Sequence, residues 1–280
     1  MSKPIVDLVT RALEEDGAYA DITTQSTVAE DQWSKGRILA RKSGVIAGLS
    51  IARETFRVFD ERIQIEQVVQ DGAHVQANEN LLLLEGPARS LLSAERVALN
   101  FLGRLSGIAT LTALSVQAIE GSHAHILDTR KTTPGLRTWE KMAVQLGGGH
   151  NHRFGLSDGV LIKDNHIKAA GGIAQAVRAA RRMAPHLLKI EIECETLDEV
   201  QIAIDARADV VLLDNMDVEM MRHAVTFIRQ QAPQVLIEAS GDIGTNTERL
   251  VAVAATGVDF ISLGALTHSA PNFDLSLEFA

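Results

Sequence analysis

Cysteine is nearly absent from the 280-residue chain, since Cys194 is its only one. An intramolecular disulfide is therefore impossible, and a reducing compartment such as the cytoplasm is the expected location. Hydrophobic residues make up 46% of the chain, which is enough for a substantial core in one large domain or two modest ones.

Long apolar runs and net positive charge are missing as well. No run approaches the roughly 20 apolar residues of a membrane helix, and Asp7, Arg11 and Glu14 interrupt the N-terminal segment before a secretory signal could form. The formal net charge of −9 argues against nucleic-acid binding, which requires a basic face. We expect neither a membrane nor a nucleic-acid partner.

Positive charge is concentrated in one window of this acidic chain, between Arg130 and Lys168. The window holds seven Lys or Arg residues against three acidic ones. A locally basic patch of this kind indicates a binding site for a small anion. The alternative is a solvated surface without a ligand, and charge counting alone favours that alternative.

The first region, residues 1–113, has the pattern of an α+β domain. An amphipathic helix opens it, and short strand-like runs follow. Arg37 to Arg41 and Val45 to Ala47 flank Ser43-Gly44, which predicts a hairpin. A long helix from about Leu91 to Leu105 is expected to end near Gly107.

Strands and helices alternate in the second region, residues 114–268, and the tail 269–280 is expected to pack back on the first. Each β-like run of the second region is followed by a helical pattern, which indicates a parallel sheet with right-handed crossovers. The runs are nearly continuous in apolar residues, as expected for strands covered on both faces. They span Ala124–Leu127, Gly159–Ile162, Leu188–Ile192, Val210–Leu213, Val235–Glu238 and Phe260–Leu263.

Polar residues end almost every one of these strands, and this feature separates a barrel from an open sheet. Catalytic groups of (β/α) barrels lie at the C-terminal ends of their strands, around one mouth. An open doubly wound sheet concentrates such groups at one switch point. Because the length suits six to seven strands better than eight, we predict an α/β fold with an incomplete (β/α) barrel.

Arg130 and Lys131 follow the first of these strands, in the run DTRKTTPGLR. Neighbouring residues of an extended segment point to opposite sides, so the two cations are placed to face different anions. Arginine suits bidentate carboxylate binding, whereas lysine suits phosphate as a point charge. A loop with two exposed charges is the alternative interpretation.

Three consecutive glycines, from position 147 to 149, precede His150, His152 and Arg153. A glycine loop lets backbone amides approach an anion closely. His150 and His152 also have a spacing that metal pairs use, but Arg153 beside them would repel a cation.

Lys163, Glu193 and Asp214 lie at the ends of three later strands. A lysine there binds an anion or forms a Schiff base, and the second possibility would indicate an aldolase or lyase. Carboxylates at the mouth of a cationic site can hold Mg²⁺, accept ribose hydroxyls or stabilise an oxocarbenium charge. A non-catalytic receptor for small anions would gain nothing from them. Cys194, next to Glu193, is expected to be a small buried residue and not a nucleophile.

The last two strands each end in a turn of small residues, Ser240-Gly241-Asp242 and Gly264-Ala265. In barrels, the loops after the final strands often bind phosphate through backbone amides. The alternative is that both turns are helix caps without a ligand. Because the turn recurs after the last two strands, phosphate binding and simple capping are about equally favoured.

Seven segments, in order along the chain, carry a resemblance to one known family. They are ERVALNFLGRLSGIAT, DTRKTTPGLR, EKMAVQLGGGHNHRFGLSDGVLIKDNHI, IEIECETLDEV, VVLLDNM, EASGDI and DFISLGALTHS. Together they resemble the quinolinate phosphoribosyltransferases. This resemblance implies transfer of phosphoribosyl from phosphoribosyl pyrophosphate to quinolinate, with Mg²⁺ and with loss of CO₂, in NAD biosynthesis. It also implies an N-terminal sandwich domain and a homodimer in which that domain caps the partner's incomplete barrel.

The resemblance assigns roles to residues that match the family's motifs. The positions implied to bind quinolinate are Arg130, His152, Arg153 and Lys163, with Arg104 reaching across from the partner subunit. The positions implied to act on phosphoribosyl pyrophosphate and its Mg²⁺ are Lys131, Glu193 and Asp214, and with Lys163 these make up the implied catalytic set. The implied 5′-phosphate turns contain Ser240, Gly241, Gly264 and Ala265. Asp242 departs from the Asn or Gly of many members, and it is unfavourable beside phosphate unless its side chain points away.

Overall fold

The computed structural model describes residues 3–279, which divide into two compact units. The first unit joins the chain up to Thr110 with the tail from Ala270, and the second runs from Leu111 to Ser269.

The elements are numbered in chain order. The first unit contains α1 (Lys3–Glu15), a 3₁₀ turn (Ala18–Ala20), α2 (Ile22–Thr27), β1 (Trp33–Ala40), β2 (Gly44–Val45), α3 (Leu49–Phe59), β3 (Gln64–Gln67), β4 (His74–Val75), β5 (Asn80–Pro87) and the start of α4 (Ala88–Ala118). The second contains β6 (His125–Leu127), α5 (Arg137–Leu146), β7 (Val160–Ile162), α6 (Asp164–Ala170), α7 (Ile173–Met183), β8 (Ile190–Cys194), α8 (Leu197–Asp205), β9 (Val210–Asp214), α9 (Val218–Gln231), β10 (Leu236–Ser240), α10 (Thr247–Ala254), β11 (Phe260–Ser262) and α11 (Ala265–His268). The chain returns to the first unit with β12 (Leu275–Phe279).

The first unit is built on an antiparallel sheet in the order β12-β1-β5-β3. One face of the sheet packs on an aliphatic core to which the helices contribute Leu49, Phe56, Leu91 and Leu102. The predicted hairpin between residues 37 and 47 is wrong, because β1 pairs with β5 and β12 while β2 pairs with β4.

Contacts around Gly44 explain why no hairpin forms there. The backbone N–H of Val45 donates to Thr110 Oγ1 at 3.0 Å, and the same hydroxyl donates to the Val45 carbonyl at 3.2 Å. A Cβ atom on Gly44 would lie 2.4 Å from the Phe273 ring. Residues 44 and 45 are therefore held against α4 and the C-terminal tail, and they cannot fold back on β1.

Helix α4 has 31 residues and continues through Gly107, so the predicted helix end at that glycine is wrong. Gly103 and Gly107 lie one helical turn apart, on the face that contacts the tail. A Cβ on Gly107 would come within 2.0 Å of the Pro271 carbonyl oxygen, and the Phe273 N–H donates to the Gly103 carbonyl at 2.8 Å. These glycines allow close approach of two backbones and do not stop the helix.

The same helix is the one candidate membrane span among the described residues, by length and composition alone. Of its most apolar window, 61% is buried inside the protein. A mostly buried helix of this kind is also what the core of a soluble protein contains.

The second unit confirms the predicted α/β class with a parallel sheet in the order β6-β11-β10-β9-β8-β7. In the described part of the chain, β6 and β7 form the two edges, so the barrel is incomplete as predicted. The segment after α5 covers the free side of β6. There the His150 N–H donates to the Ile126 carbonyl at 2.8 Å, and the Asp128 N–H donates to the His150 carbonyl at 3.1 Å.

Aspartates hold the N-terminal ends of the central strands together. Asp209 accepts from the Ile190 N–H at 2.7 Å and pairs with Arg181 at 2.7 Å. Asp259 accepts from the Ile237 N–H at 2.7 Å and pairs with Arg229 at 2.7 Å. The opposite, carboxyl ends of the strands are therefore left for function.

Candidate active site

A cavity of about 490 Å³ lies at the carboxyl ends of the parallel strands. Most of the predicted site residues line it, namely Arg130, Lys131, His152, Arg153, Lys163, Glu193, Asp214, Ser240, Gly241, Asp242 and Gly264. Two predicted residues are not among its lining in the described part of the chain. Ala265 is the first residue of α11, and Arg104 lies on α4 in the first unit. Residues separated by more than 130 positions in sequence thus share one cavity.

Arg130 and Arg153 make one wall of the cavity strongly cationic. Burial lowers the pKa of Arg153, and the positive charge of Arg130 lowers it further. The guanidinium of Arg153 donates to the Gly159 carbonyl at 2.9 Å, which fixes its direction. Arg130 Nε is buried and has no hydrogen-bond partner among residues 3–279. These two guanidinium groups fit an anionic ligand. An anion would reduce the repulsion between their charges and would accept hydrogen bonds from donors that have no protein partner.

Arg137 connects the two loops that carry these arginines, a role the sequence did not indicate. Its guanidinium donates to Thr132 Oγ1 at 2.9 Å, to the Arg130 carbonyl at 3.3 Å and to the Phe154 carbonyl at 3.2 Å. Both loops are therefore fixed to one side chain that does not itself line the cavity.

Two acidic residues, Glu193 on β8 and Asp214 on β9, also line the cavity. Glu193 forms an ion pair with Lys163, and Asp214 accepts from the Asn215 amide at 3.0 Å. Burial raises the pKa of Asp214, and the neighbouring Glu193 carboxylate raises it further. Both burial and a neighbouring carboxylate therefore disfavour the charged form of Asp214. The two carboxylates are suitable oxygen ligands for a hard divalent cation.

The turns after β10 and β11 contribute to the lining of the cavity, together with Lys131. Gly241 has φ +106°, and a Cβ atom there would lie 2.2 Å from Asn215 Oδ1. A Cβ on Gly264 would lie 2.9 Å from Cδ of Lys131, so the lysine side chain passes directly over this turn. The Asp242 side chain is exposed, and its N–H donates to Asn215 Oδ1 at 3.1 Å.

Gly241→Ala is expected to disrupt this turn more than backbone strain alone would. The left-handed backbone and the collision with Asn215 both oppose a side chain, for a combined cost of roughly 2–3 kcal/mol in unfolding free energy. Gly171→Ala is the matched control, because Gly171 also has positive φ, at +82°, but has nothing within 4 Å of its added Cβ. Thermal denaturation of both variants measures the difference, and equal losses would contradict the role given to Asn215.

Comparison with known proteins decides the family. Residues 21–106 match the model of the quinolinate phosphoribosyl transferase N-terminal domain, and residues 108–278 match that of the C-terminal domain. The chain belongs to the quinolinate phosphoribosyl transferase family.

Relatives of this family agree with that assignment over nearly the whole length. A probable nicotinate-nucleotide pyrophosphorylase from Bacillus subtilis is 46% identical, over 94% of this chain and 89% of that protein. A nicotinate-nucleotide pyrophosphorylase from Mycobacterium leprae is 44% identical, over 97% of this chain and 96% of that protein. The solved structure of the enzyme from Francisella tularensis superposes with a TM-score of 0.92 at 43% identity, over 99% of this chain and 96% of that one.

Two buried carboxylates near His152, those of Glu191 and Glu238, were not among the predicted site residues. His152 Nε2 lies 3.1 Å from Glu191 Oε2 and 3.6 Å from Glu238 Oε2. Burial raises the pKa of Glu238 well above its usual value, and the nearby Glu191 carboxylate raises it further. A period of two places Glu191 on the same strand face as Glu193, and Glu238 on the same face as Ser240. That spacing is the signal that could have found them.

Among the described residues, these three side chains are the one group of three or more His, Cys, Asp or Glu residues whose potential ligand atoms all lie within 4.8 Å of one another. His150 is not part of the group. The centroid of the His150 ring lies 4.6 Å from the centroid of the His125 ring.

A second buried pair, Asp128 and Lys141, holds the backbone of His152. Lys141 Nζ donates to Asp128 Oδ1 at 2.5 Å and to the His152 carbonyl at 3.0 Å. Asp128 Oδ1 also accepts from the His152 N–H at 2.8 Å. Asp128 stands at the head of the DTRK motif, but nothing in the sequence showed that its partner would be a buried lysine of α5.

Cys194 is fully buried, and burial raises the pKa of its thiol to about 12. A thiol in this state is not a nucleophile at neutral pH. The structure therefore agrees with its interpretation as a small buried residue.

Proposed function

We propose that this chain transfers the phosphoribosyl group of phosphoribosyl pyrophosphate to quinolinate, with release of pyrophosphate and CO₂ and formation of nicotinate mononucleotide in NAD biosynthesis. The observation that supports this most directly is that one cavity is lined by the cationic side chains of Arg130, Arg153 and Lys163 together with the carboxylates of Glu193 and Asp214. The family assignment points to the same reaction. The Schiff-base lyase and the non-catalytic anion binder are not favoured by that assignment.

Binding of quinolinate is assigned to Arg130, Arg153 and Lys163. Two adjacent carboxylates on a pyridine ring need several cationic donors at fixed angles, and guanidinium groups supply them in pairs. Each charge-assisted hydrogen bond is worth roughly 1.5–3 kcal/mol. Fixing both carboxylates orients the ring nitrogen toward the ribose, which supplies the proximity contribution to catalysis.

The 5′-phosphate of the second substrate is assigned to the turns at Ser240-Gly241 and Gly264-Ala265, with Lys131 above them. At Gly264 the space that a Cβ atom would take is occupied by Cδ of Lys131, so the lysine side chain lies against one of the turns to which the phosphate is assigned. Backbone N–H groups of such turns are suitable phosphate donors. Asp242 is exposed and also lines this cavity.

Glu193 and Asp214 fit a Mg²⁺ ion, because two carboxylates at the ends of neighbouring strands line the same cavity and carboxylate oxygens are the ligands that this ion prefers. When bound, Mg²⁺ would neutralise charge on the departing pyrophosphate. The carboxylates themselves stabilise the positive charge that develops on the ribose as its bond to pyrophosphate breaks.

The bond changes balance without a further reactant. The ring nitrogen forms a bond to ribose C1, and the C1–O bond electrons leave with pyrophosphate. The alkylated ring is then a cation, so the bond to the carboxylate beside the nitrogen can break and its electrons stay on the ring carbon. Release of CO₂ and uptake of a proton give nicotinate mononucleotide.

The direct test incubates the purified chain with quinolinate, phosphoribosyl pyrophosphate and Mg²⁺. We expect nicotinate mononucleotide, CO₂ and pyrophosphate in equal amounts. Omission of any component should stop the reaction. Borohydride trapping of Lys163 with a carbonyl substrate, and no nucleotide product, would instead favour the lyase.

We also propose a cytoplasmic homodimer in which Arg104 of one subunit completes the partner's site. In the single chain, the Arg104 guanidinium donates to the Ala270 carbonyl at 3.3 Å within the first unit. The cytoplasmic location is proposed on the ground that the only cysteine is a buried thiol, which suits a reducing compartment.

Shared sites predict complementation between two inactive variants. Arg104→Ala and Arg153→Ala should each be nearly inactive alone. After mixing and reassociation, half of the dimers should be mixed, and one of their two sites should be intact, giving about a quarter of wild-type activity. Activity of the mixture no greater than that of the separate variants would contradict a shared site.

A further inference from the structure

The ring of His152 has both of its nitrogens bonded to the protein. Nδ1 accepts a hydrogen bond from the Arg153 N–H at 2.7 Å. Nε2 lies 3.1 Å from Glu191 Oε2. An N–H can donate only to an unprotonated ring nitrogen, so Nδ1 carries no proton, and the proton is on Nε2, where it donates to Glu191.

This tautomer leaves no ring nitrogen for a ligand. The side chain of His152 lines the cavity, yet only 14% of it is exposed. Because a pyridine carboxylate is recognised by N–H donors, His152 lacks the group that direct recognition would require.

We propose that His152 is a positioning residue and not a quinolinate ligand: Glu191 fixes its ring, and the ring fixes the backbone amide from which Arg153 extends into the cavity. This inference rests on the proposed function. It concerns how the site is built and replaces the role that family resemblance implied for His152.

The backbone of His152 is fixed from the other side by the buried pair described above. Asp128 accepts from its N–H, and Lys141 donates to its carbonyl. With the Arg153 guanidinium also bonded to the Gly159 carbonyl, residues 152 and 153 are held at both ends. Guanidinium recognition of carboxylate is directional, so even a small displacement of Arg153 weakens quinolinate binding.

Nitrogen NMR of selectively ¹⁵N-histidine-labelled protein tests the tautomer directly. The chain has nine histidines, and the spectrum of His152→Gln assigns the signals of His152 by difference. We expect one protonated and one unprotonated nitrogen, with the proton on Nε2 and no change at saturating quinolinate. Protonation of both nitrogens, a change of Nε2 on addition of quinolinate, or a change on removal of metal ions by EDTA would each overturn the proposal.

Kinetics of two Glu191 variants test the positioning role. Glu191→Leu removes the acceptor for Nε2–H and is expected to raise the KM for quinolinate about tenfold or more, while the KM for phosphoribosyl pyrophosphate stays within about twofold. Glu191→Gln keeps an oxygen acceptor and should restore most of the quinolinate affinity. A folded Glu191→Leu protein with an unchanged KM for quinolinate would overturn the proposal.

Failure of this proposal and failure of the proposed function give different results. If the wild-type chain forms no nicotinate mononucleotide, the function is wrong, whatever the NMR spectrum shows. If the wild type is active while His152 responds to quinolinate at Nε2, the function stands and the positioning role fails. His186→Gln, a change at an exposed histidine, controls for effects of substitution on the spectrum.

Discussion

Replacing Arg153 with alanine is expected to lower kcat/KM for quinolinate at least about 100-fold. Two charge-assisted hydrogen bonds to a carboxylate, at roughly 1.5–3 kcal/mol each, would account for a loss of this size. The KM for phosphoribosyl pyrophosphate should change little, because Lys131 and the glycine turns are assigned to that substrate. Initial rates with each substrate varied in turn measure both constants.

Two further variants serve as controls for the Arg153→Ala measurement. Arg153→Lys keeps the charge but loses the paired donors, so it should recover only part of the activity. Arg178→Ala removes an exposed arginine of α7 and should leave the kinetics as they are. Normal quinolinate kinetics in a folded Arg153→Ala protein would count against the cationic wall as the quinolinate site.

Lys141→Met is expected to destabilise the fold by about 3–5 kcal/mol, the usual cost of leaving one member of a buried ion pair without its partner. Both side chains are nearly inaccessible, with 2% of Lys141 and none of Asp128 exposed. The methionine has a similar length, so the loss arises from charge and hydrogen bonds more than from a cavity. Chemical denaturation at constant pH measures the change.

The loss should also depend on pH. Burial already raises the pKa of Asp128, and Lys141 is the strongest opposing influence, so its removal raises the pKa further. The folded variant then binds this proton more tightly than the unfolded chain does. Its free energy of unfolding therefore falls as pH rises through the folded-state pKa. We expect a larger deficit at pH 8 than at pH 5, and a deficit that grows toward acid would contradict this account.

The double variant Asp128→Asn with Lys141→Met separates charge from packing. It removes both charges but keeps a side-chain oxygen that can accept from the His152 N–H. More than half of the lost stability should return, because no uncompensated charge stays buried. Arg222→Met, in the exposed pair with Glu219, is the surface control and should change the melting temperature little.

The sequence by itself determined the α/β class, the positions of the parallel strands and the polar residues at their ends. These features depend on local periodicity and on the rule that barrel sites gather at carboxyl ends, so no long-range contact had to be known. The same local signals failed at Gly44 and Gly107. There the backbone responds to Thr110, Phe273 and Pro271, which are distant in sequence, and a glycine that permits close packing looks like a turn or a helix end.

Only the tertiary structure decided which buried charged residues contact the residues that line the cavity. A buried Lys141 is indistinguishable in sequence from an exposed charge, because the partner that makes burial tolerable comes from another element of the fold. The period of two indicates the strand face of Glu191 and Glu238 but does not show which residues contact them. The chemistry of His152 depends on these same contacts. The family resemblance implied a ligand role for it, whereas its tautomer and its inferred role in orienting Arg153 follow from which neighbours the fold places against each nitrogen.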